Sequence, residues 1–327
     1  MPRLHALDAL RGLAAIIVLI GHVSHHADTG WYAGMYGLAV DFFLMLSGFV
    51  MARTYERRME QGLGAGQFLA MRWRRLWPMA ALGVVLAFVV GAIWSRPEAG
   101  GWLALVGALL FLPYPASSLF PLNGPRWSLF AELVANVIHA AVLARLRQRG
   151  LIVLIAGLAG LLMVLIIPLD DWPYPGRLNS FVPGMVRVML AYCLGIALWR
   201  GFGERPVVRL RLPVLGLTMC GMIYLGGLID PVLFGPLFVL LVCPLLVLGG
   251  ATCAVGGKAA RWCSAAGTMS YPLYAIHTPL VMAAYYAGLP ALAVLTLALG
   301  LVALWVAGLV WWQTLPVQQQ PGPPLPS

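Results

Sequence analysis

Apolar and polar positions along this chain alternate in long blocks rather than at the short period of a soluble helix or strand. Ten apolar runs cover residues 8–25, 35–53, 76–95, 126–144, 150–168, 179–199, 212–229, 231–250, 264–287 and 289–312. Each is about 20 residues, the length a helix needs to cross roughly 30 Å of hydrocarbon. An eleventh run, 101–112, stops at Pro113 and is too short to cross, so it reads as a re-entrant segment. Residues 54–75 form a basic stretch containing Gln67-Phe68-Leu69-Ala70-Met71-Arg72-Trp73, a mixture suited to a helix lying in the membrane interface. The expected fold class is all-α: a polytopic integral membrane protein of about ten transmembrane helices plus a short re-entrant segment. The membrane domain is expected over 1–313, followed by a polar, proline-rich tail over 314–327 that reads as disordered and cytoplasmic.

Composition sharpens this picture. The 327 residues are 61% hydrophobic and 10% charged, against about 25% charged in an average soluble domain. That excludes a soluble globule and a disordered chain. The net charge of +10 does not point to nucleic acid, because its placement follows the membrane. With the N-terminus inside and 101–112 not crossing, sixteen cationic residues fall on the cytoplasmic side. Only Arg96, Arg126 and Arg177 fall outside. If 101–112 crossed, the arginines at 145–149 and 200–211 would face outward, against the positive-inside tendency. Both termini are therefore expected to be cytoplasmic. The first apolar run has a signal-like basic start, yet no A-x-A site follows Ser24-His25-His26, so it reads as a retained helix. The five cysteines form no C-x-x-C pair and suggest neither a disulfide framework nor a metal site.

Ionisable side chains inside apolar runs are costly and call for a reason. The first run carries Asp8, Arg11 and His22. On a helix Arg11 and His22 share a face, about 20° from eclipsed and about 16 Å apart along the axis. Asp8 lies one turn from Arg11, where a local ion pair is available. Counting depth from the ends of the runs puts His22, Asp41, Glu132 and His277 in the outer half of the membrane. Arg11, Arg72, Arg74 and Arg75 gather at the inner face. Arg187 is a possible partner for Glu132 or Asp41. His139 reads as a hydrogen-bonded core residue, and His25 and His26 as solvated. Ser47 has no evident base beside it and is not expected to be a nucleophile; Ser47-Gly48 also suits close helix packing.

Five blocks in order resemble the membrane-bound acyltransferase 3 family. They are Leu7-Asp8-Ala9-Leu10-Arg11-Gly12-Leu13-Ala14 with His22 (R-x10-H), and Val40-Asp41-Phe42-Phe43-Leu44-Met45-Leu46-Ser47-Gly48-Phe49. Next come Arg72, Arg75 and Pro78 (R-x-x-R-x-x-P), and Asn123-Gly124-Pro125-Arg126-Trp127-Ser128-Leu129-Phe130-Ala131-Glu132 (W-S-L-x-x-E). The last is Gly267-Thr268-Met269-Ser270-Tyr271-Pro272-Leu273-Tyr274-Ala275-Ile276-His277 (G-x-x-S-Y-x-x-Y-x-x-H). Two departures stand out: Leu133 and Asn136 occupy places where many members carry a second Glu and a Tyr, and Leu44 replaces the second Phe before L-S-G.

The resemblance implies an integral O-acyltransferase of a bacterial inner membrane. Acyl-CoA, acetyl-CoA above all, would be the donor, and a hydroxyl of a carbohydrate or lipid-linked glycan at the outer side the acceptor, with membrane lipids as the other partners. Arg11, Arg72 and Arg75 would hold the nucleotide phosphates. His22 would carry catalysis with Arg11, either as general base or as covalent acyl carrier, with Glu132 orienting or charge-stabilising it. Asp8, Asp41, Ser47, Trp127, Tyr271 and His277 would support the site or the acceptor. A transporter or flippase, or a non-catalytic membrane partner on the same fold, is the alternative, since intramembrane His, Glu and Arg also mark substrate pathways.

Overall fold

A computed structural model of the protein describes residues 3–26, 34–94, 101–169, 171–205 and 207–314. Arg96, and the expected tail beyond Thr314, lie outside the described residues. The helices are α1 (His5–His26), α2 (Leu38–Met51), α3 (Arg57–Glu60), α4 (Ala65–Ile93), α5 (Gly101–Leu109), α6 (Arg126–Ala141) and α7 (Gln148–Ile166). They continue with α8 (Phe181–Phe202), α9 (Leu212–Gly226), α10 (Pro231–Leu237), α11 (Cys243–Thr252), α12 (Gly257–Tyr286) and α13 (Ala291–Thr314). A π-turn joins α2 to α3, and another joins α10 to α11. Among the described residues the only extended pairing is an isolated bridge between Ser118 and Arg177. The fold is an all-α polytopic membrane protein.

The count of spans differs from the ten expected. Among the described residues, seven helical stretches are long and apolar enough to cross: His5–His26, Leu38–Glu60, Ala65–Ile93, Gln148–Leu169, Leu178–Phe202, Pro231–Thr252 and Ala291–Trp311. The other three expected spans are helices that fall short in length or apolarity. α9 has 15 residues and α6 has 16. α12 has 30 but is diluted by Arg261, Thr268, Ser270 and His277. α6 therefore falls short by length, and α12 by the polar side chains it carries into the interior.

The expected interfacial helix is not a separate element. Its second half is the start of α4, which runs unbroken for 29 residues and takes Arg72 into the protein, where it is 3% exposed. α5 has nine residues, about 14 Å at 1.5 Å per residue, too short to cross. It ends at Phe111, whose φ of 60° is strained for a bulky side chain. The strain is held by a C-terminal cap: Leu112 N–H donates to Gly107 O (2.8 Å) and Phe111 N–H to Ala108 O (3.1 Å). Arg126, expected in an outer loop, is instead buried and donates to Ala108 O at 2.9 Å, its guanidinium 4.9 Å from the Phe120 ring. A cation at the C-terminal end of α5 also complements that helix's dipole.

α1 packs along α12, and α2 along α8. Both contacts depend on small residues. A Cβ on Gly48 would strike the Tyr192 carbonyl, and one on Gly195 the Met45 carbonyl, so these two backbones touch. α7 and α13 turn most of their apolar surface outward, as helices bathed in lipid do. α12 contains Pro272 and Pro279. Pro279 has no N–H to give Ala275 O, and Asn123 Nδ2 fills that vacancy at 2.9 Å.

Candidate active site

Two adjoining cavities lie inside the bundle. The larger, about 660 Å3, is near the C-terminal end of α1 and is lined by His22, Tyr36, Trp127, Trp172, Tyr174 and Arg177 among others. The smaller, about 100 Å3, is nearer the start of α1 and is lined by Arg11, Ser47, Arg72, Arg75, Glu132 and Tyr271 among others. Val40 and Tyr274 line both.

In the larger chamber the hydrogen bonds fix which ring nitrogens carry protons. His277 Nδ1 faces the carbonyls of Tyr274 (2.9 Å) and Leu273 (3.2 Å) one turn back on α12. Carbonyls only accept, so Nδ1 is the donor and Nε2 holds a lone pair. His22 Nδ1 faces Val18 O at 2.9 Å and is the donor by the same logic; it also reaches His277 Nε2 at 3.3 Å. Thr278 Oγ1 donates to the same Nε2 at 3.1 Å. The outcome is a half-buried His22 whose Nε2 lone pair has no partner among the described residues, with its opposite edge held by a carbonyl and a neutral imidazole. Such a ring can accept a proton at Nε2 and spread the resulting charge across Nδ1–H. Behind two residues that line this chamber, Trp172 and Arg187, Asp41 is completely buried. Arg187 donates to it through Nε (2.7 Å) and Nη2 (2.8 Å), and Trp172 Nε1 donates at 3.3 Å. Trp127 packs edge-on against Tyr174, with ring centroids 5.8 Å apart.

In the smaller chamber Arg72 Nη2 donates to Glu132 Oε1 at 2.6 Å, and Ser47 Oγ donates to the same oxygen at 2.9 Å. Arg72 Nε and Nη1 are buried with no partner among the described residues. Arg11 and Arg75 line the same cavity, so three guanidiniums face one carboxylate. Tyr271 closes part of the wall, its hydroxyl donating to Leu76 O. This chamber has a surplus of positive charge and unused N–H groups, the requirements for an anion such as phosphate.

The structure thus brings together Arg11, Arg72 and Arg75, and separately His22 with His277. It does not bring Glu132 to His22: the carboxylate is committed to Arg72 and Ser47, and the imidazole is braced by His277. Nor does Asp8 pair with Arg11; it accepts from Arg3 Nε at 2.5 Å. Asp41, not Glu132, is the partner of Arg187. Arg74 is exposed and does not line the cavity, whereas Ser47 both touches Glu132 and precedes the close α2–α8 contact at Gly48. His139 is a buried core residue that meets Tyr192 OH at 3.1 Å, and Asn136 Oδ1 accepts from the same hydroxyl at 3.2 Å. His25 is exposed and His26 half-buried at the mouth of the larger chamber.

Tyr274 and Ser128, quoted in the family blocks but given no role from the sequence, share a hydrogen bond of 2.7 Å beside the wall between the chambers. A signal existed: Tyr274 is three residues before His277 and so lies on the same helical face.

A family model described as an acyltransferase domain matches residues 4–312. "Protein 2 in picA locus" from Rhizobium radiobacter is 35% identical over 179 residues, which covers 48% of this chain and 92% of the relative. No solved structure matches the chain.

Proposed function

Since the chain belongs to the acyltransferase family, we propose that it is a membrane O-acyltransferase that takes an acyl group, acetyl first, from acyl-CoA. The acceptor is a hydroxyl of a carbohydrate or lipid-linked glycan at the outer side of the bacterial inner membrane. In this reading both termini are cytoplasmic, so the arginine chamber opens toward cytoplasmic acyl-CoA and the histidine chamber toward the acceptor.

The observation that carries the reading is the separation of chemistries between the chambers. Arg11, Arg72 and Arg75 surround an anion site with unpartnered N–H groups, suited to the nucleotide phosphates of the donor. His22 Nε2 presents a lone pair in a chamber walled by Tyr36, Trp127, Trp172 and Tyr174. Aromatic rings with an apolar body and a polar tip suit the C–H faces and hydroxyls of a sugar. His22 takes the proton of the acceptor hydroxyl as general base, and the oxygen attacks the thioester carbonyl. His277 performs the bracing that a carboxylate performs in hydrolytic triads, here through a neutral ring.

Membranes containing the full chain should release free thiol from acetyl-CoA and transfer labelled acetyl to envelope glycan. Solute flux without thiol release would overturn the reading in favour of a transporter. Reporters fused after residues 148 and 205 should both read cytoplasmic; an external signal at both would reverse the assignment of the chambers.

A further inference from the structure

Of the side chains that line both chambers, Val40 and Tyr274, only Tyr274 is polar. Its ring is held in place, buried, with Phe43 edge-on at a centroid distance of 5.7 Å. Its hydroxyl meets Ser128 Oγ at 2.7 Å, and both hydroxyls reach Pro125 O, at 3.3 Å from Tyr274 and 3.0 Å from Ser128. Two protons therefore serve one carbonyl. When Ser128 Oγ donates to the phenol oxygen, the phenol proton is available to a ligand oxygen, and Pro125 O keeps the Ser128 backbone N–H at 3.2 Å, so no buried acceptor is stranded.

Several other donors around the wall are committed, and the free Arg72 Nε and Nη1 are those the reading above gives to the donor phosphates. Arg72 Nη2 is given to Glu132, Arg187 to Asp41 and Pro173 O, His277 Nδ1 to its own helix, and Thr278 Oγ1 to His277. Arg11 makes no hydrogen bond among the described residues, but it lies about 16 Å back along α1 from His22. One reacting carbon, which needs its partners within about 3.5 Å, cannot be served by both. Tyr274 is one turn from His277, whose ring lies 4.8 Å from that of His22.

We propose, resting on the acyl-transfer reading above, that Tyr274 is a catalytic residue that donates its phenol proton as a hydrogen bond to the thioester carbonyl oxygen, with Ser128 holding the phenol. The acceptor O–H proton goes to His22 Nε2 as the acceptor oxygen bonds to the carbonyl carbon. The C=O electron pair moves onto oxygen, where Tyr274 stabilises it. That pair then re-forms the carbonyl, the C–S bond breaks, and the sulfur leaves with the proton carried by His22. The products are ester and free thiol, and Tyr274 ends as it began.

The test uses the full chain in membranes and acetyl-CoA labelled with 13C at the carbonyl. In the wild type the thioester stretch should shift to lower frequency on binding. Tyr274→Phe should abolish that shift and lower kcat about a hundredfold, the low end for losing one oxyanion donor, with donor KM within about twofold. A wild type that releases no thiol refutes the acyl-transfer reading itself. A wild type that turns over, beside a Tyr274→Phe protein with unchanged band and rate, overturns the role of Tyr274 alone. If Tyr274→Phe does not fold, 3-fluorotyrosine at position 274 keeps the ring and strengthens the donor. The band should then move further to lower frequency, and a stationary band overturns the proposal.

Discussion

Arg72 and Arg187 are each 3% exposed and each paired with one carboxylate, yet the two pairs are in opposite condition. Arg187 grips Asp41 with two nitrogens, gives further N–H groups to Pro173 O and Gly37 O, and lies 5.0 Å from the Trp172 ring. Arg72 gives one nitrogen to Glu132 and leaves two buried and unpartnered. Burying a polar group without a partner costs on the order of 1–3 kcal/mol. A completed pair behaves as scaffold, because any change removes a bond already made. An incomplete pair retains capacity for a ligand, and that capacity is what the proposed anion site of the smaller chamber would use.

The comparison breaks most visibly at Asp41. Asp41→Asn leaves the Arg187 charge buried without its counter-ion, a change that costs about 3–5 kcal/mol. Thermal unfolding in detergent should show it, and added CoA should still stabilise what remains folded; a variant as stable as the wild type would refute the scaffold role. His22→Ala should be smaller in stability and large in rate. It should fold normally and lose at least about a hundredfold in kcat, the low end for a lost general base, while the donor KM stays put. A near-wild-type rate would remove His22 from the mechanism. Arg75→Glu should act least, raising the donor KM about tenfold, near the value of one charge-assisted hydrogen bond, with little change in kcat. Normal donor dependence would make the arginines topogenic only.

Much of the fold was legible because an apolar run and a crossing helix are nearly the same object. The boundaries were less so. Hydropathy places the third span from 76, but α4 starts at Ala65, since a helix extends past the apolar limit without any change in backbone bonding. The run 231–250 reads as one segment, and the π-turn at Phe238–Val242 inside it leaves no trace in apolarity. In the site, Arg11 and His22 on one face followed from helical periodicity alone. Their partners did not, because a contact between helices depends on packing register. Spacing placed Glu132 beside His22, whereas its partners are Arg72 and Ser47, and Arg126, taken as the outer end of its helix, is buried against α5. Arg72 was grouped with Arg11 and Arg75 as the structure groups them, but on an interfacial stretch, whereas α4 carries it into the protein.

Asn123 has a consequence for how tightly the two chambers are tied together. It bridges the loop ahead of α6 to the Ala275 carbonyl that Pro279 leaves free on α12; Asn123 is five residues before Ser128, and Ala275 directly follows Tyr274. The same two segments supply the two members of the hydroxyl pair, so the bond sets their alignment across a joint that would otherwise slide. An acyltransferase that opens toward water on one side must not waste its donor by hydrolysis. On the proposed function, alignment at this joint would set whether the acyl group of the donor waits for its acceptor or is spent on water.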